Sequence, residues 1–270
     1  METVKAWPIA KAAWGGTLKA FGANPLVFLV AMALFAAMGA AMAGVGHLPR
    51  LLFPPEPEKT NWSNGATFAG MRLGVEMLSG VILAPMMVSV HRTILADRLQ
   101  NGFGAAWRNY LGWLLALMMV AVASLNFSLI ASAVGFVRGL LVIIAQIGLL
   151  ILVWRLALLP ADVAVGAPAK SAEARIDTSW AAMEGRFWLT VRILFLTLLP
   201  MLILLAILHR IGMPKVPNPP PIPTPPPAPP PVTRLLMIGR ALEGAAQAFT
   251  VALAVAASSE LYARLMPRRS

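Results

Sequence analysis

Two Arg–Glu pairs are the residues whose types and spacing could do chemistry. Arg72 and Glu76 stand four apart, and Arg240 and Glu243 three apart. Each pair therefore shares one face of a helix and can neutralise itself. Gln146 and Gln247 lie about a turn or two deeper in apolar runs. A charge at membrane depth costs roughly 2.5–3.5 kcal/mol on insertion scales, so such residues turn toward a bundle interior or water. Arg72, Glu76, Gln146, Arg240, Glu243 and Gln247 are thus the expected lining of a polar cavity for a lipid headgroup or a small anion. Ion pairing that only fastens helices together accounts for the same residues, and residue types alone do not separate the two readings.

Other chemistries find less support. The histidines are His47, His91 and His209, and acids Glu56 and Glu58 lie near the first. Imidazole and carboxylate could together hold a metal, but no HExxH-like spacing is present. The expected role of His47, His209, Glu56 and Glu58 is therefore polar anchoring at headgroup level, with no metal. Paired histidines for a transmembrane haem are missing, and no cofactor is expected. The chain has no cysteine, which excludes disulfides, thiol nucleophiles and thiolate metal sites. No Ser/His/Asp arrangement, phosphate-cradling glycine loop or paired catalytic carboxylates stand out, so the expectation is a protein that is not an enzyme.

The elements that must carry these residues follow from composition. Of 270 residues, 59% are hydrophobic and 12% charged, against roughly 25% charged in soluble domains. Apolar stretches of about 20 residues fit a ~30 Å hydrocarbon core. The predicted fold class is all-α integral membrane, a single domain of six transmembrane helices arranged as three hairpins. The spans are expected at 25–46, 70–90, 110–130, 139–159, 189–208 and 234–261. The first is taken as a mature span, because the segment ahead of it is too long for the n-region of a signal peptide. Ala36, Ala40 and Gly44 form a small-residue row that would admit close helix contact. Pro160 and the residues after it are expected to close the fourth span, and Pro200 to kink the fifth. Residues 214–231 hold twelve prolines. That loop is expected to be polyproline II, extending ~55 Å at ~3.1 Å per residue.

Charge sets the orientation. Lys5, Lys11, Lys19, Arg92, Arg98, Arg108, Lys170, Arg175, Arg186, Arg264, Arg268 and Arg269 fall on one side of the six spans, and Arg50, Lys59, Arg138, Arg210, Lys215 and Arg234 on the other. By the positive-inside rule both termini are cytoplasmic. The expected location is a bacterial inner membrane with the proline loop outside. The net charge of +11 is then accounted for by topology and anionic headgroups, and no nucleic acid partner is expected.

Residues 1–24 are expected to form an amphipathic helix in the membrane surface, with Trp7, Trp14, Leu18 and Phe21 on one face. Each odd span is entered through an interfacial foot bearing Trp14, Trp107 or Trp180, followed by Phe21, Trp113 or Phe187. Trp7, Trp14, Trp107, Trp180 and Trp188 are accordingly the expected membrane-interface residues.

The stretch RLALLPADVAVGAPAKSAEARIDTSWAAMEGRFWLT resembles the signature of the glycerophosphoryl diester phosphodiesterase membrane domain and of related six-helix bacterial membrane proteins. In that pattern a helix ends near a proline, a small-residue linker follows, and a Ser/Thr-Trp…Gly-x-Phe/Trp foot leads into the next helix. FGANP at 21–25 and ELYARL at 260–265 fit it as well. The resemblance implies the membrane fold and no activity, because catalysis in those phosphodiesterases resides in a separate soluble barrel.

Two functions are compatible with these features. The first is a non-enzymatic inner-membrane protein that organises lipids or partners, with membrane lipids bound at its feet and a protein partner recruited by the proline-rich loop. The second is a transporter or permease component that moves a lipid or small anion past the Arg/Glu pairs. Pro85 and Pro200 do not occupy matching positions in two halves, as the broken helices of an inverted-repeat transporter would. That favours the first.

Overall fold

A computed structural model describes residues 5–45, 62–99, 102–116, 144, 147–148, 151–152, 154–165, 172–211 and 234–266. The described residues are all-helical. The helices are α1 (Ala6–Ala23), α2 (Pro25–Val45) and α3 (Trp62–Ile94), then α4 (103–116). They continue as α5 (Leu159–Val165), α6 (Ala172–Ala182), α7 (Phe187–Ile211) and α8 (Arg234–Leu265). A 3₁₀ turn, Ala96–Arg98, follows α3.

Among the described residues three segments are long and apolar enough to cross a membrane: Met77–Ile94, Phe187–Arg210 and Arg234–Leu265. A fourth arises if α1 and α2, bent by 101° at their junction, count as one broken span. The proline loop, most of the third and fourth expected spans and the side chains of Arg72 and Glu76 lie outside the described residues.

The bundle is built on α8, which touches α1, α2, α3, α5 and α7. Its buried residues are mostly small, including Gly239, Gly244, Ala246, Ala248, Ala252, Ala256, Ala257 and Ser259. Small side chains let neighbouring backbones come close, which is how helices gain contact where lipid is as apolar as leucine. The tightest approach is between α2 and α8. A Cβ placed on Gly39 would lie 2.2 Å from the Arg240 carbonyl oxygen, and one on Gly244 would lie 2.2 Å from that of Phe35. The row predicted for this role was Ala36, Ala40 and Gly44. Of that row Ala36 abuts Gly244, the surroundings of Gly44 lie outside the described residues, and Gly39 makes a close approach that the row did not include.

The first helix does more than rest against the others. Its buried face is Ile9, Ala10, Ala13, Thr17 and Ala20, set against α3, α7 and α8. Trp7 and Leu18 are 64% and 58% exposed, and Lys5, Lys11 and Lys19 are exposed too. Small residues thus face protein, while aromatic and cationic residues face outward. Trp14 reaches inward: its indole N–H donates to the Thr197 carbonyl at 3.0 Å, and its ring packs on Phe249 at 6.1 Å. Thr197 follows Leu196, whose carbonyl Pro200 leaves without its helical partner. Trp14→Phe should cost about 1 kcal/mol by losing that one hydrogen bond. Trp14→Ala, which also loses the ring, should cost roughly 3 kcal/mol or more. Thermal unfolding of both variants in detergent checks the gap between them.

Two local features differ from the expectation or refine it. Pro160 does not close a helix. The chain turns at 156–158 and then begins α5, with Pro160 in its first turn, where its missing N–H leaves no helical bond unmade. Gly185, at φ 66, makes the turn from α6 into α7. It is the glycine of the Gly-x-Phe/Trp foot, and the left-handed conformation explains why that position takes glycine.

Candidate functional site

The expected outer site is only partly assembled among the described residues. Arg240 and Glu243 pair at 2.7 Å. His209 of α7 joins them, with its Nδ1 3.3 Å from Glu243 Oε1 and 3.3 Å from Arg240 Nη1. Gln247 is exposed on the same stripe of α8. Arg72 and Glu76 belong to α3, but their side chains, like Gln146 as a whole, fall outside the described residues. What is visible is a three-residue clasp between α7 and α8.

A second polar region lies at the opposite end of α8. It begins with His91, 1% exposed. One ring nitrogen, Nδ1, is 2.7 Å from Ser259 Oγ, and Nε2 is 3.3 Å from the Tyr110 hydroxyl. Ser259 Oγ–H donates to the Val255 carbonyl at 2.9 Å. Its one hydrogen being used there, Ser259 accepts from His91 Nδ1–H, and Nε2 accepts from Tyr110. A neutral imidazole has one donor and one acceptor, so this chain is satisfied along its length. It ties α3 and α4 to α8.

One turn further along α8, the Tyr262 hydroxyl donates to Asp162 Oδ1 at 2.7 Å. Arg175 Nη1 donates to Asp162 Oδ2 at 3.0 Å and to its backbone carbonyl at 3.2 Å. This ties α5 and α6 to α8. The Arg98 guanidinium donates to the Ala263 and Met266 carbonyls at 2.8 and 2.9 Å, capping the end of α8. Its face lies over the Tyr262 ring at 5.9 Å. Arg92 Nη1 reaches the Ala164 carbonyl at 3.4 Å.

The two networks fix the walls of a cleft of about 560 Å³. One wall is a single face of α4, bearing Arg108, Asn109, Gly112, Trp113 and Ala116. Tyr110, on that helix, is the residue held by His91. The other wall is Val163 and Arg175, beside and bonded to Asp162. The cleft combines two guanidinium groups, an amide and an indole ring with small apolar residues. Such a set can hold an anion by charge-assisted hydrogen bonds.

The tryptophan feet divide by environment. Trp7 and Trp188 are 64% and 70% exposed, and Trp180 41%. Arg155 lies between the Trp154 and Trp180 rings at 4.8 and 5.0 Å, donates to the Trp180 carbonyl at 2.9 Å, and receives Ser179 on its own carbonyl at 2.8 Å. Trp107 is half-buried, and its indole N–H has no hydrogen-bond partner among the described residues.

Sequence reasoning did not single out Asp162, Tyr110, Tyr262 or Ser259, and it gave His91 no role. A signal was present. The chain has two tyrosines in all, both in these networks, and Asp162 is the one acid in the apolar stretch from Leu156 to Val165. An isolated acid in such a run needs a partner. No protein-family model, curated protein or solved structure matches the chain.

Proposed function

We propose that this chain is a non-enzymatic, six-span protein of a bacterial inner membrane, with both ends cytoplasmic, that organises the lipids around it. The observation that carries this reading is the placement of α1. That helix is bent 101° from α2 and fastened by its alanine face to three other helices. Its Trp7, Leu18 and lysine side chains are left outward. A helix so held presents apolar and cationic groups side by side, the combination that engages the boundary between headgroups and acyl chains. Beside it, only 17% of the Phe187–Arg210 segment is buried, leaving Phe195, Leu199, Leu202 and Ile203 exposed. Together they form a wedge and a wall for lipid.

The test is electron spin resonance of spin-labelled lipid in reconstituted membranes. Changing Trp7 and Leu18 together to Ser should shrink the motionally restricted lipid population, with helix content retained by circular dichroism. An unchanged population overturns the role given to α1.

A further inference from the structure

We infer that the cleft between α4 and the α5–α6 wall is a binding site for a phosphodiester lipid headgroup carrying a single negative charge. The inference deepens the lipid-organising reading and rests on it for the source of the ligand.

Charge comes first. Among the described residues the cationic groups lining the cleft are Arg108 and Arg175. Arg175 is already paired with Asp162 at 3.0 Å, both side chains being nearly buried at 13% and 11% exposure. The Arg175–Asp162 pair is neutral as a unit, so the described lining carries a net charge of about one, from Arg108. That matches a phosphodiester monoanion better than a dianionic phosphomonoester. The guanidinium of Arg108 is exposed and can take the two unesterified oxygens side by side. Asn109 adds an amide donor beside it.

Polarity along the cleft comes second. Arg108, Asn109, Gly112, Trp113 and Ala116 follow one another up one face of α4, and Arg108 to Ala116 spans about 12 Å at 1.5 Å per residue. On that face Arg108 and Asn109 stand at one end, Gly112 and Trp113 in the middle and Ala116 at the other. A soluble phosphate would use only the first end. A phospholipid would use all of it, with phosphate at Arg108, glycerol over Gly112 beside Trp113, and the start of an acyl chain over Ala116. The volume, about 560 Å³, lies within the ~300–1,000 Å³ of small-molecule sites.

Rigidity comes third. The His91–Tyr110 and Asp162–Arg175 bonds hold the two walls before any ligand arrives, which lowers the ordering cost of binding.

The test titrates the full chain in mild detergent with phosphatidylglycerol, phosphatidylcholine or inorganic phosphate, and counts bound ligands by native mass spectrometry. The first phosphatidylglycerol should bind at least tenfold more tightly than phosphatidylcholine. Arg108→Gln should remove that tenfold preference and Arg108→Lys should restore part of it, with thermal stability unchanged because Arg108 is exposed. Equal affinities in the native chain and Arg108→Gln overturn the site. Inorganic phosphate that binds as tightly and is not displaced by lipid overturns the lipid assignment in favour of a soluble anion. The measurement is made without a bilayer and does not involve Trp7 or Leu18. A failure here therefore leaves the α1 wedge standing, and a failure of the wedge leaves this site standing.

Discussion

Gly244→Ala should destabilise the protein by about 3 kcal/mol or more, the sign opposite to that of the same change in an ordinary helix. Replacing a mid-helix glycine with alanine normally gains about 0.5–1 kcal/mol, because glycine loses more backbone freedom on folding. At Gly244 the new Cβ would stand 2.2 Å from the Phe35 carbonyl oxygen and 2.8 Å from its carbon. Both atoms belong to backbone, so no side chain can turn aside and the helices must separate. Overpacking into a rigid core costs about 1–3 kcal/mol, and a backbone contact this short belongs at the top of that range or beyond it. Gly39→Ala meets the Arg240 carbonyl at the same distance and should cost as much. The two changes together should cost clearly less than their sum, because one outward shift of α2 relieves both clashes. Gly74→Ala is the control. It lies in α3 with no described residue within 4 Å of the added carbon, and should be neutral or slightly stabilising. Unfolding in mixed micelles, followed by circular dichroism, measures all four variants. Equal behaviour of Gly244→Ala and Gly74→Ala would refute the close crossing.

Apolar length and small-residue spacing made the helices legible. The stretches 25–46, 189–208 and 234–261 are helical as α2, α7 and α8, and α7 and α8 are long and apolar enough to cross a membrane, α2 only if joined with α1. The helix over 70–90 begins at Trp62, with the turn-prone SNGAT stretch absorbed into α3, and its apolar segment is Met77–Ile94. Which small residues would touch was not legible. Ala36, Ala40 and Gly44 are as good a row as any on α2, and only the rotation of α2 against α8 selects Gly39. The Arg240–Glu243 pair was legible because both residues lie on one helix and the i,i+3 rule is local. His209 was not assigned to it because its contact depends on how α7 and α8 align. The same limit hid the cleft. Arg108 and Arg175 read as two more positive charges on one side of the membrane, and Asp162 as a residue of a closing loop. Nothing local brings residues 110, 162 and 175 together. Their meeting depends on α8, whose Ser259 and Tyr262, one turn apart, hold both walls.

The largest electrostatic effect is expected at Asp162. Its carboxylate accepts from Tyr262 at 2.7 Å and Arg175 at 3.0 Å. Asp162→Ala removes both bonds and takes from the Arg175 guanidinium, 13% exposed, the carboxylate that neutralises it. Removing one partner of a buried ion pair costs about 3–5 kcal/mol, most of it the uncompensated charge that remains. Tyr262→Phe gives up one hydrogen bond and leaves the ion pair intact, so its cost should stay near 1–2 kcal/mol. The ordering Asp162→Ala well above Tyr262→Phe is thus a statement about charge and not about bond count. The double variant Asp162→Ala with Arg175→Met isolates the cause. Methionine keeps much of the apolar stem and removes the stranded cation, so the pair of changes should be more stable than Asp162→Ala alone by about 1–2 kcal/mol. A double variant no more stable than the single would mean that the guanidinium finds water or another partner as the carboxylate is lost. The networks on α8 would then act by shape and packing, with charge contributing little to holding the α5–α6 wall.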